Sequence, residues 1–175
     1  MTLNTEHQER YFEAHILQQL TKQGWLEGET GGYDTARTLF TEDVLAWVEA
    51  TQPEKLKKLQ ALNGVNTNMV LLDRLANALD TDGLVTVLRK GFGVAGCGQI
   101  MMSQAAPEDT RNQKVVDAYK ANRLRVVPQL KYDPAREFAL DLSFFINGLP
   151  VATGEVKTNF TQAIDDAINQ YKQTR

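Results

Sequence analysis

The sequence predicts an α/β domain with a central mixed β-sheet flanked by helices, extra helices being inserted after the first. Three observations carry that expectation. Apolar residues recur at spacings of three and four near both ends of the chain, as on amphipathic helices. Residues 42–80 hold more helix-grade segments. Residues 124–157 concentrate β-branched and aromatic residues in short runs broken by a turn signal. Helices followed by strands, with a helix returning at the end, suit a mixed sheet better than a helical bundle.

The elements follow in order. Thr5-Glu-His-Gln8 has the form of a capping box, with Thr5 as N-cap and Gln8 three residues on. The helix it opens runs to about Gly24, with Phe12, Ile16, Leu17 and Leu20 as its apolar stripe. Two helices follow near residues 42–50 and 53–62, the second opening on Pro53, a residue the first helical turn accepts. A longer helix spans about 68–80. Leu84–Lys90, rich in β-formers and preceded by Asp82-Gly83, reads as a strand. A glycine-dense turn leads to a second strand at 99–103, then a helix at 112–122 and a strand at 124–130. A hairpin follows at 141–157. The last helix covers about 160–174, with Phe160, Ala163, Ile164, Ala167, Ile168 and Tyr171 on one face. The whole reads as one domain over residues 1–175, and the chain stops where a further strand would complete the sheet, which suggests a piece of a longer subunit.

Composition narrows the function classes. The 175 residues are 42% hydrophobic and 23% charged, as in an ordinary globular protein with a sizeable core. No apolar run approaches the roughly 20 residues a membrane-spanning helix needs, and the N-terminus lacks the basic start and apolar stretch of a secretion signal. Cys97 is the only cysteine, which excludes an internal disulfide and a thiolate metal cage. A cytoplasmic location is expected. The net charge of −3 does not advertise a nucleic-acid partner. Its distribution says more. Arg111, Lys114, Lys120, Arg123, Arg125 and Lys131 crowd a segment in which Asp117 is the only acid, and such a stretch could follow a phosphate backbone. A solvated surface is the blander reading.

The hairpin concentrates the chemistry. Asp141 lies on its first arm, and Glu155 and Lys157 on its second, in the pattern D-x13-E-x-K. Both arms are apolar, and charges there are costly unless paired. Two carboxylates and an ammonium at one spot suit a divalent metal and a phosphodiester. Asp141 and Glu155 would hold Mg²⁺ or Mn²⁺, with the backbone carbonyl of Val156 as a further ligand. Lys157 would address the attacking water or the developing charge. Gln170, on the last helix, would orient the site from one layer away. Register imposes a condition. Asn147-Gly148 is a strong two-residue turn signal, and a strict two-residue hairpin pairs Asp141 with Gly154, on the face opposite Glu155. A shared site therefore needs an odd loop or a β-bulge. Without one, the three charges are a salt-bridged surface hairpin.

Other patterns are weaker. Gly91-Phe-Gly-Val-Ala-Gly96 matches G-x-G-x-x-G but lacks a following helix, so a strand-to-strand turn is the better reading. No phosphate-binding P-loop and no G-x-S-x-G elbow occur. His7 and His15 read as surface or packing residues. Glu9 and Glu13, one turn apart beside the first apolar stripe, could approach the metal, although solvated helix charges are the commoner case.

The hairpin pattern is that of the PD-(D/E)xK nucleases. Beyond it, the segments Leu39–Trp47, Thr51-Gln-Pro53, Leu84–Phe92, Tyr119–Arg123, Leu140–Pro150, Glu155-Val-Lys157 and Ala167–Lys172 resemble the N-terminal nuclease domain of the R subunit (HsdR) of type I restriction-modification enzymes. The resemblance covers nearly the whole chain. It implies a restriction-endonuclease-like fold and Mg²⁺-dependent cleavage of double-stranded DNA, with Asp141, Glu155 and Lys157 as the active site and Gln170 in the family's Gln motif. It implies ATP use only through a translocase region outside this sequence, and assembly with modification and specificity subunits. Cleavage by this chain alone is expected to be weak or absent. Three positions depart from the pattern. Leu140 precedes Asp141 where proline stands in the superfamily name, Thr174 stands where the Gln motif often has tyrosine, and Pro128 replaces a common arginine in Val127-Pro-Gln129. The competing readings are a non-catalytic docking module of the same complex and a stand-alone repair or recombination nuclease.

Overall fold

A computed structural model describes residues 5–133, 135, 138–156 and 172. Helix α1 (Thr5–Lys22) leads to a short strand β1 (Leu26–Glu27). Helices α2 (Thr41–Thr51), α3 (Pro53–Asn63), α4 (Thr67–Asp82) and α5 (Leu84–Lys90) follow, then strands β2 (Phe92–Val94) and β3 (Gly98–Ile100). Helix α6 (Gln113–Lys120) precedes β4 (Leu124–Lys131), β5 (Ala139–Ile146) and β6 (Leu149–Gly154). A four-stranded sheet runs in the order β1-β4-β5-β6, and β2 and β3 form a separate antiparallel pair. β1 lies parallel to β4, with Leu26 opposite Arg125, while a two-residue turn joins β5 to β6, so the sheet is mixed. Apart from residue 172, the C-terminal helix expected at 160–174 lies outside the described residues, as do Lys157 and Gln170. Among the described residues, no helix is long and apolar enough to cross a membrane.

The chain groups into two compact units, one of residues 1–31, 125–144 and 152–175, the other of residues 32–124 and 145–151. The first has a small core of Val126, Leu142 and Val156, against which Ile16, Leu17, Leu20, Trp25 and Phe144 pack. Trp25 meets Phe144 edge-on, with ring centroids 5.7 Å apart. Phe12, expected on the buried stripe of α1, is 53% exposed, whereas Glu13 is only 9% exposed. The buried face is thus Glu13, Ile16, Leu17 and Leu20, a 0, 3, 4, 7 pattern with a carboxylate in its first position.

The second unit is built on α2–α5, and Trp47, Leu59, Leu71, Leu75, Phe92 and Ile100 lie at its centre. Leu84–Lys90 is a helix here rather than the expected strand. Gly83, at φ 79°, ends α4 by donating its N–H to Leu79 and starts α5 by accepting from Val87. Val87 is fully buried and Leu84 and Leu88 pack beside it, so the run obeys helical spacing. Seven residues are too few for β-propensity to outweigh that burial. The strand expected at 99–103 is shorter because Met101 pairs with a side chain instead. The amide of Gln52 donates to its carbonyl at 2.8 Å and accepts from its N–H at 2.9 Å. Gly91–Gly96 leads into the β2–β3 hairpin, with Phe92 opposite Ile100, which rules out a dinucleotide-binding turn into a helix.

The tip of the long hairpin belongs to this unit. Asn147 and Gly148 have φ of 50° and 86°, as a type I′ turn requires. Asn147 is fully buried. Its side chain accepts from the Arg123 N–H at 2.7 Å and donates to the Met102 carbonyl and the Asn122 Oδ1, both at 2.9 Å. A Cβ at Gly148 would strike the Phe40 carbonyl oxygen and lie 2.6 Å from Val44 Cγ2. The Asn-Gly pair therefore sets the turn and anchors it.

Candidate active site

The site begins with the register of the hairpin. A type I′ turn at Asn147-Gly148 pairs Ile146 with Leu149, and strict alternation from there would put Gly154 on the face of Asp141. The packing differs. A Cβ built at Gly154 would lie 3.6 Å from Leu142 Cβ and 3.6 Å from Phe144 Cε2. Val156 joins the same cluster as Leu142. Gly154 thus packs on Leu142's face, and Val156, just past the end of β6, both joins that cluster and lines the pocket that Asp141 faces. Gly154 therefore departs from the face that strict alternation from the turn would give it.

Asp141, half-buried in β5, faces a pocket of about 480 Å³ in the first unit. Glu9, Arg10 and Glu13 of α1, Gln129 of β4 and Val156 complete its lining. The Val156 N–H donates to Asp141 Oδ2 at 2.8 Å, which fixes one carboxylate oxygen. This is the amide of Val156 rather than the carbonyl expected as a ligand. Gln129 Nε2 donates to Glu13 Oε1 at 2.9 Å. Burial raises the Glu13 carboxyl above its ordinary pKa; the Gln129 hydrogen bond and Arg10 oppose this, and the Asp141 charge adds to it. Glu13 is therefore a buried acid close enough to Asp141 to feel its charge, not the solvated helix residue that its spacing suggested.

Glu155 directly follows β6, and both of its carboxylate oxygens are buried, but it is not among the pocket-lining residues. Among the described residues, no three His, Cys, Asp or Glu side chains converge closely enough to hold a metal. The donors around Asp141 are nonetheless hard oxygens, and Mg²⁺ is ordinarily held by one or two carboxylates plus water and phosphate oxygens. The pocket is chemically suited to that ion. Sequence reasoning raised Glu9 and Glu13 but missed Gln129 and Arg10. For Gln129 the available signal was the preceding Pro128, which interrupts a strand ladder.

The basic stretch is less available to phosphate than its composition suggests. Arg123 donates to the fully buried Asp43 at 2.7 Å. Arg125 is itself buried and donates to the Glu27 carbonyl at 3.3 Å. Arg111 pairs with Asp109 at 2.6 Å. Lys114 and Lys120 are exposed. At least three of the six cations thus have intramolecular work.

No curated protein and no solved structure matches the chain. A family comparison does match, over residues 7–175. With that match added to the mixed sheet and the acidic pocket, the chain belongs to the family described as type I restriction enzyme R protein N terminus.

Proposed function

We propose that this chain is a nuclease domain of the PD-(D/E)xK fold that hydrolyses phosphodiesters of double-stranded DNA with Mg²⁺, which Mn²⁺ could replace. Family membership supports the reading, and the observation that carries it is Asp141, held by the Val156 N–H, facing an acidic pocket beside Glu13. Asp141 and Glu155 would hold the ion, with the Val156 carbonyl as a third ligand. When bound, the ion supplies charge neutralisation at the scissile phosphate and a water of lowered pKa. The chain's own residues do the rest. The Val156 amide fixes the Asp141 carboxylate, so little reorganisation remains when a cation arrives. Lys157 would donate a hydrogen bond toward the attacking water or the developing charge. Gln170 would orient the site from the helix expected at 160–174. Arg10, a cation at the pocket lining, would meet a substrate phosphate.

In this reading the chain acts within an R protein whose ATP-driven translocase lies elsewhere, assembled with modification and specificity subunits in the cytoplasm. The test is Asp141→Ala in the assembled enzyme. Cleavage of target DNA is expected to be lost, with DNA binding and subunit assembly retained. Undiminished cleavage would overturn the nuclease reading in favour of a docking role.

A further inference from the structure

We propose that Gln129 is a positioning residue of the Asp141 pocket, holding the Glu13 carboxylate in place for the cation. The inference rests on the metal-site reading above and extends it to a residue outside the D-x13-E-x-K pattern. Gln129 lies inside β4 yet has φ of 48°, a left-handed conformation that residues with a Cβ rarely adopt. Such outliers within a strand persist where the surroundings over-determine them, and they concentrate at functional sites. Here the backbone is bracketed. Pro128 precedes it, and the Thr30 hydroxyl lies 3.4 Å from both the Gln129 carbonyl and the Lys131 N–H.

The left-handed residue breaks side-chain alternation along β4, and the Gln129 amide faces the pocket, 2.9 Å from Glu13 Oε1. The chemistry of the donor matters. A neutral amide orients a carboxylate without cancelling its charge, so Glu13 keeps the negative charge a cation needs. A lysine or arginine in that place would neutralise it. Glu13 is nine-tenths buried, and a buried carboxylate without a fixed donor would lose its hydrogen bond and its orientation together.

The experiment titrates Mn²⁺ into the chain by calorimetry and electron paramagnetic resonance, with thermal unfolding alongside. The variants are Gln129→Ala, Gln129→Gly, Glu13→Ala, the Glu13→Ala/Gln129→Ala pair and Asp141→Ala. Gln129→Ala and Gln129→Gly are each expected to weaken Mn²⁺ binding about tenfold or more, as loss of a residue supporting a ligand does. Gln129→Gly should unfold above Gln129→Ala, because both lose the amide while glycine accepts the left-handed backbone. This separates loss of positioning from loss of fold. In the Glu13→Ala background, removing Gln129 should change affinity by less than about twofold, as a residue acting through Glu13 requires. Unchanged affinity in both Gln129 variants, or an equal cost with and without Glu13, would overturn the positioning role. If Asp141→Ala abolished binding while the Gln129 variants did not weaken it, only the positioning role would fall. If the parent chain bound no Mn²⁺, both the role and the metal-site reading would fall.

Discussion

Replacing Asn147 with alanine should cost the fold several kcal/mol, although the residue occupies a hairpin turn, where substitutions are usually mild. Its side chain is fully buried and makes three hydrogen bonds. Of its partners, Asn122 Oδ1 still accepts from the Gln104 N–H at 3.3 Å. The Arg123 N–H and the Met102 carbonyl lose the bonds that Asn147 supplies. Each buried group left unpaired costs about 1–3 kcal/mol. Alanine must also hold φ near 50°, in the left-handed region where asparagine is tolerated, at a further ~1 kcal/mol. The sum is about 3–7 kcal/mol, a large share of the roughly 5–15 kcal/mol by which domains are stable. Glycine at the same position leaves the same two groups unpaired but removes the backbone strain, so it should recover about 1 kcal/mol relative to alanine. Urea unfolding followed by far-ultraviolet circular dichroism measures both variants. An alanine variant within about 1 kcal/mol of the parent would show that these hydrogen bonds have less value than assigned here. A glycine variant no more stable than alanine would refute the backbone part.

Two further predictions concern other regions. Burial, with Asp141 adding to it, raises the Glu13 carboxyl above its ordinary value of 4.5, so the folded chain holds that proton more tightly than the unfolded chain. Stability from this group is therefore present below 4.5 and lost as pH rises through the raised value. Glu13→Gln, which keeps the acceptor for Gln129, should be more stable than the parent at neutral pH, and the advantage should vanish in acid. A constant advantage across pH, read from unfolding midpoints, would contradict the assignment. Gly91→Ala should destabilise the second unit strongly, because an added Cβ would collide with the Ile100 carbonyl oxygen at a φ of 70° that alanine disfavours. A melting temperature equal to the parent's would show that the β2–β3 hairpin can shift to make room.

Much of the hairpin was legible in the sequence. Asn147-Gly148 announced the turn, and the parity conflict between Asp141 and Glu155 announced that strict alternation could not run the length of the hairpin, as the packing of Gly154 against Leu142 agrees. The G-x-G-x-x-G match resolved correctly for want of a following helix. The misreadings have a common physical origin. In α1, ranking residues by apolarity put Phe12 on the buried face, whereas the geometry buries Glu13 at the head of Ile16, Leu17 and Leu20. A carboxylate at a core-type spacing was the anomaly to notice, and hydrophobicity ranking hides it. In Leu84–Lys90, β-propensity spoke for a strand, and the packing of Val87 between two left-handed glycines decided for a helix. Gln129 could not be found from its type, since a left-handed backbone at a non-glycine residue has no composition to betray it. Arg123 and Arg125 looked like phosphate contacts, but an acid at position 43 and a carbonyl at position 27 engage them, partners too distant in sequence for local reading to pair.

The most direct measurement is anomalous diffraction from crystals of this chain soaked in Mn²⁺. A peak held jointly by the carboxylates of Asp141 and Glu155, with the Lys157 ammonium directed to the same side of the sheet, is the result expected of a cutting centre. An empty map at Asp141, or an ion bound without Glu155 while Lys157 points to the opposite face, would contradict it.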